Sequence, residues 1–135
     1  MTNVTEVVLP EIPVMYVGAD KARPIAEQAP VAFSLLEAGL PSLKGRKFYG
    51  VVIDAEYRAC VAITPDDDPA GLPHRRWLIP GGKYARTKIL DWESRTHEIG
   101  PAFDAMSRAL NIDPGRPRIE FYRGRKQLFL LAPVR

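Results

Sequence analysis

One cysteine, two histidines and no long apolar run set the first limits on this chain. Cys60 stands alone among 135 residues, so no intrachain disulfide can form and no paired zinc spacing exists. A reducing, cytoplasmic setting is expected. The opening stretch MTNVTEVVL has no basic residue ahead of its apolar part, and no run approaches the eighteen or so apolar residues of a membrane helix. Neither secretion nor a membrane partner is expected, and the sequon Asn3-Val4-Thr5 reads as coincidence. Charge of one sign is scarce as well. Nineteen Lys and Arg against sixteen Asp and Glu leave +3, short of the dense basic face of a nucleic-acid binder, so no direct nucleic acid is expected. His74, His97 and the run Asp66-Asp67-Asp68 form no ligand set at recognisable spacing. No metal and no cofactor are expected.

What the chain does have is 46% apolar and 26% charged residues, a globular composition sufficient for one core, so residues 1–135 are read as a single domain. Within it a repeat appears. Leu9-Pro10 recurs as Ile79-Pro80 at an offset of 70, and the helical spacing Phe33, Leu36, Leu40 recurs as Phe103, Met106, Leu110. Beyond the helices the offset becomes 73, matching Phe48-Tyr49 to Phe121-Tyr122. Each copy, about 4–65 and about 76–134, reads strand, helix, two strands. In the first copy Pro10 and Pro13 give residues around Val4 to Val17 the look of an edge strand or bent entry, Pro30 suits a first helical turn, and Gly39-Leu40-Pro41 stops the helix. Hairpins follow at Lys47–Ile53 with Tyr57–Thr64, and at Pro117–Tyr122 with Gln127–Pro133. The predicted class is α+β: tandem βαββ units about a pseudo-twofold axis, antiparallel sheets, and two helices on one side with the other face free.

Period two along Arg118-Ile119-Glu120-Phe121-Tyr122 sends Ile119 and Phe121 to one face and Arg118, Glu120 and Tyr122 to the other. The apolar pair is expected under the helices. The repeat equates Tyr49 with Tyr122 and Lys47 with Glu120, so aromatic rings are expected to converge on one carboxylate. A glutamate among rings is costly to ionise without a counter-charge, which favours a flat ligand bringing positive charge or a hydrogen-bond donor. Trp77, Tyr84 and Trp92 are candidate walls or rim, with core packing the competing reading for each.

Ile79-Pro80-Gly81-Gly82-Lys83-Tyr84-Ala85, the amphipathic helix after it, Pro117–Tyr122 and the ending Leu131-Ala132-Pro133-Val134 together resemble GyrI-like small-molecule-binding domains. Such domains also serve as effector-binding halves of multidrug-responsive transcription regulators. The resemblance implies a ligand cleft between the copies with an acidic residue where Glu120 stands, and a lipophilic, planar or cationic small molecule as partner. Family members also include gyrase inhibitors and hydrolases of cyclopropane-bearing genotoxins. Two segments depart from the family pattern: Lys88–His97 replaces a compact His-x-Gly-like segment, and the basic turn Arg123-Gly124-Arg125-Lys126 replaces an acidic-proline turn.

Other chemistries find little purchase. Pro80-Gly81-Gly82-Lys83 lacks the GxxxxGK[ST] frame, and Cys60 reads as a small buried residue rather than a nucleophile. The basic spots Arg46-Lys47, Arg75-Arg76 and Arg123–Lys126 read as solvated tips. Three functions follow in order: drug or toxin sensing or sequestration around Glu120, with Tyr122, Tyr49, Tyr84, Trp92 and Trp77 lining the site; hydrolysis, with Glu120 as general base and Tyr122 donating or orienting; and interaction with a protein partner. The expected assembly is a monomer or weak dimer.

Overall fold

The computed structural model describes residues 4–135; Asn3 of the sequon lies outside the described residues. Eight antiparallel strands and two α-helices form the α+β architecture. The strands are β1 (Thr5–Leu9), β2 (Ile12–Gly18), β3 (Phe48–Ile53), β4 (Glu56–Ala62), β5 (Arg75–Ile79), β6 (Gly82–Leu90), β7 (Ile119–Arg123) and β8 (Gln127–Pro133). The helices are α1 (Ile25–Ala38) and α2 (Ile99–Ala109). They fall into two compact units, Ile12–Ile79 and Met1–Glu11 with Pro80–Arg135.

Both units use one strand order. In the unit holding α1, the order is β3-β4-β2-β5; in the unit holding α2, it is β7-β8-β6-β1. The stretch around Val4 to Val17 is therefore two strands rather than one bent one, separated at Pro10-Glu11, and β1 pairs with β6 while β2 pairs with β5. Pro80-Gly81 makes the matching break between β5 and β6. Proline supplies no N–H and so ends a ladder at both corners. Gly81 is dictated by crowding, since a Cβ there would lie 2.7 Å from the Glu11 amide nitrogen and 2.8 Å from the Leu9 carbonyl oxygen. Gly82 adopts φ +132°, open only to glycine at low cost.

The Phe103–Met106 stripe of α2 is buried with Ala85, Ile89, Leu128 and Leu130, and Leu110 packs at its margin. In the other unit, Leu36 and Ala32 of α1 bury against Met15, Tyr57, Ala59 and Val61, with Phe33 and Leu40 partly covered. Helix α1 starts earlier than Pro30 suggests, with Pro24 at its N-cap and Pro30 inside it. Pro30 leaves the carbonyl of Ala26 unserved, and Ala26 is exposed, so water can take the place of the missing N–H. The start is held by Gln28, fully buried, whose amide donates to the Arg23 carbonyl at 2.7 Å and the Ala55 carbonyl at 2.9 Å while its oxygen accepts from the Tyr57 N–H at 2.9 Å. One of those partners, Ala55, lies in the two-residue β3–β4 turn and another, Tyr57, just beyond it; Asp54 and Ala55 both take left-handed φ.

The acidic run is structural at two positions: Asp68 accepts from the Ala70 N–H at 3.0 Å and caps a short 3-10 turn, and Asp67 holds a guanidinium. Asp67 accepts two bonds from the Arg46 guanidinium, at 2.6 and 2.7 Å, and one from the Thr64 N–H at 2.8 Å. The Arg46 bonds, more than the Thr64 amide, lower its carboxyl from 3.8 to about 2.

Two outcomes follow for stability. Gln28→Ala leaves the Ala55 carbonyl and Tyr57 N–H without their partner and is expected to cost about 3 kcal/mol in urea unfolding; a loss within about 0.5 kcal/mol would contradict the clamp. Because the folded-state value of Asp67 is depressed, its contribution is complete above about pH 4 and disappears as pH falls toward 2. The stability gap between wild type and Asp67→Asn should therefore narrow across that window, and a constant gap would contradict the pairing.

Candidate functional site

Strand β7 pairs with β8 in a register that sets Glu120 opposite Leu130 and Tyr122 opposite Leu128. Side chains directly opposite on neighbouring strands share a face. Leu128 and Leu130 pack with Phe103 and Met106 of α2, and Tyr122 packs against the same cluster. Glu120 and Tyr122 therefore lie on the α2 side of their sheet. Ile119 and Phe121, opposite Leu131 and Phe129, face away from it, the reverse of the orientation expected from polarity. The reason is visible in β8, where Leu128 and Leu130 are buried on the α2 side and Leu131 is buried on the other. With both faces apolar, alternation along β7 separates two sets without saying which one meets the helix.

Glu120 is 8% exposed and, among the described residues, is the only buried carboxylate. A carboxylate in an apolar layer must be hydrogen-bonded to remain there. Tyr122, two residues along the same strand, donates its hydroxyl to Glu120 Oε1 at 2.5 Å. The Trp92 ring meets Tyr122 edge-on, with centroids 4.9 Å apart. Its indole N–H donates to the Gly124 carbonyl at 3.1 Å, and the Asp91 amide beside it donates to the Lys126 carbonyl at 2.7 Å. The segment Lys88–His97 and the turn Arg123–Lys126 are thus bonded to each other. After β6 ends at Leu90, left-handed Asp91 (φ 52°) turns the chain into the short 3-10 turn that carries Trp92. At the other end of the row Arg118 lies over the Phe103 ring, 5.0 Å from its centroid.

The structure thus brings together Glu120, Tyr122 and Trp92. Tyr84 belongs to the same unit but not to this face: it pairs with Pro133 and Val7, is fully buried, and donates its hydroxyl to the Pro80 carbonyl at 2.6 Å. The Arg116 guanidinium covers its ring at 4.8 Å, and burial raises its phenol above the usual tyrosine range. Tyr49 and Trp77 belong to the other unit. Tyr49 sits opposite Cys60 on the side of β3 away from α1, while Phe48 packs on the α1 side. Tyr49 and Tyr122 therefore take opposite sides relative to the helices of their own units, and the offset of 73 equates strand positions one residue out of phase. Trp77 packs edge-on to Tyr16 at 6.2 Å, and Arg58 lies over both rings at 4.4 and 4.9 Å. Arg118 is the site residue whose role was hardest to foresee; its place beside Phe103 needs the helix docked.

The remaining candidates are structural. Cys60 is fully buried, and burial pushes its thiol far up. The Ile12–Ile79 unit contains a hollow of about 340 Å³ lined by Tyr16, Val17, Gly18, Glu56, His74 and Arg75. Two of its polar groups are already engaged, Glu56 with Arg58 at 2.8 Å and His74 with the Leu36 carbonyl at 3.0 Å. Among the described residues no three His, Cys, Asp or Glu side chains are grouped to hold a metal, and no helix is long and apolar enough to cross a membrane.

No protein-family model and no curated protein matches this sequence. Solved structures share its fold over nearly the whole chain. An integron cassette protein from the mobile metagenome of Vibrio cholerae superimposes with a TM-score of 0.71 at 13% identity, covering 99% of this chain and 97% of that one. SAV2435 bound to tetraphenylphosphonium gives 0.66 at 12% identity, covering 99% and 94%. A protein assigned to bacterial transcription regulation in Staphylococcus aureus MU50 gives 0.59 at 11%, covering 98% of each chain. At such identities the likeness establishes the fold alone.

The Glu120–Tyr122 bond should appear as an interaction energy. Tyr122→Phe is expected to cost about 1–3 kcal/mol beside Glu120 and far less in a Glu120→Met background, measured by urea unfolding of the four proteins. Equal costs in both backgrounds would contradict the pairing.

Proposed function

We propose that this chain is a small-molecule-binding domain of the GyrI-like kind, holding a planar lipophilic ligand that brings positive charge or a hydrogen-bond donor to Glu120. The observation that carries this reading is the buried carboxylate itself, set among the Tyr122 and Trp92 rings on the α2 side of its sheet. Ring faces attract cations, and a carboxylate with few water partners gains most from a ligand that supplies a donor. Support comes from SAV2435, which has this fold and carries tetraphenylphosphonium, a lipophilic cation. Sensing or sequestration of such compounds is the function that follows.

Hydrolysis is the less favoured reading. A general base and a separate proton donor are needed for it, yet the Tyr122 hydroxyl is directed at Glu120 itself rather than toward a leaving group.

A thermal-shift comparison tests the proposal. Planar cationic dyes at about a hundredfold over their Kd should add about 2.7 kcal/mol to the wild type, a rise of several degrees in Tm. Glu120→Gln should lose that rise for cations while keeping it for neutral aromatic lipophiles. Equal loss for both classes would contradict a charge-selective site, and no stabilisation by any compound would turn attention to a protein partner.

A further inference from the structure

Beside Glu120 on the same face stands a cation. Arg118 immediately precedes β7, two residues from Glu120, and its contact with Phe103 of α2 puts it on the same side. The Arg118 side chain is 42% exposed. Its acidic neighbour Asp104 is 3.8 Å away and more exposed still, a separation at which a solvated pair contributes little. The guanidinium is therefore positioned chiefly by the Phe103 ring, and its exposed part can hydrogen-bond a ligand. The row Arg118, Glu120, Tyr122 offers one positive and one negative group along a single face, flanked by Phe103 at one end and Trp92 at the other.

A monocation drawn to Glu120 meets the like charge of Arg118 within a Debye length, whereas a ligand with an anionic group at its far end meets a planar fork suited to carboxylate. Resting on the proposed binding role of Glu120, we infer that the preferred ligands are aromatic zwitterions, with an ammonium or similar cation against Glu120 and a carboxylate against Arg118. A separation of two residues, up to about 7 Å of chain, selects para-disposed charges over adjacent ones. Arg118 is then the specificity determinant that separates such ligands from simple lipophilic cations.

The test compares 4-(aminomethyl)benzoate with 4-(aminomethyl)benzamide, which share ring and ammonium and differ in the far charge. Ligand-observed NMR titration of the wild type should show the benzoate binding about tenfold more tightly than the benzamide. Arg118→Gln should bring the benzoate down to the benzamide without weakening the latter; Arg118→Lys should keep part of the difference; Glu120→Gln should weaken both. A wild-type benzamide as tight as the benzoate, with both still dependent on Glu120, would overturn the zwitterion preference and leave the binding role intact. A benzoate-to-benzamide ratio unchanged in Arg118→Gln would also overturn it. No Glu120-dependent binding of either compound would overturn both readings. Should Arg118→Gln fail to fold, the wild-type ratio and Arg118→Lys decide.

Discussion

A carboxylate can remain in the layer beneath α2 only while hydrogen bonds replace the water it has lost, and Glu120 meets that condition first through a neighbour on its own strand. The Tyr122 hydroxyl reaches it because residues two apart on a strand share a face, so the register of β7 on β8 is also the register of the site. Slipping β7 by one residue would put Ile119 and Phe121 in this layer and carry both polar groups to the other side. Trp92 completes the arrangement from a different part of the chain. Its indole bond to the Gly124 carbonyl ties the turn after β6 to the β7–β8 hairpin, and its ring rests on the phenol that serves Glu120.

Each unit keeps its frame with a polar clamp as well as with apolar packing. In one, Gln28 ties the start of α1 to the β3–β4 turn. In the other, Arg116 lies over the Tyr84 ring and donates to the Lys83 carbonyl at 3.0 Å, the Val134 carbonyl at 2.9 Å and the Asp113 carboxylate at 3.0 Å. Side chains that bond to several backbone groups at once specify one arrangement more sharply than interchangeable methyl groups can. Tyr84 and Gln28 are therefore read as scaffold, and the site is built on the strand and the 3-10 turn that this scaffold holds.

Much of the architecture was legible from spacing alone. Helical stripes at Phe33, Leu36, Leu40 and at Phe103, Met106, Leu110 marked both helices, and turn chemistry marked both hairpins. Glu120 and Tyr122 could be put on a common face because alternation is a property of any strand. Which face that was could not be read, because β8 is apolar on both sides and offers no polar edge to orient the sheet. The aromatic candidates divided for the same kind of reason: a tyrosine or tryptophan suits a wall and a core equally. Tyr84 and Trp77 found guanidinium partners, Arg116 and Arg58, distant in sequence, whereas Trp92 reached the site through a carbonyl 32 residues away. Pairings of that kind exist only once the chain is folded.

The central claim is that ligand, carboxylate and rings meet on the α2 side of the sheet. It is tested most directly by two-dimensional NMR of the isotope-labelled protein titrated with a planar cationic dye. The account predicts that the Trp92 indole N–H, the Glu120 and Tyr122 amides and the Phe103 ring shift together along one binding curve, while the Trp77 indole N–H stays in place. A curve that moves Trp77 and Tyr16 and leaves Glu120 and Trp92 unperturbed would contradict it.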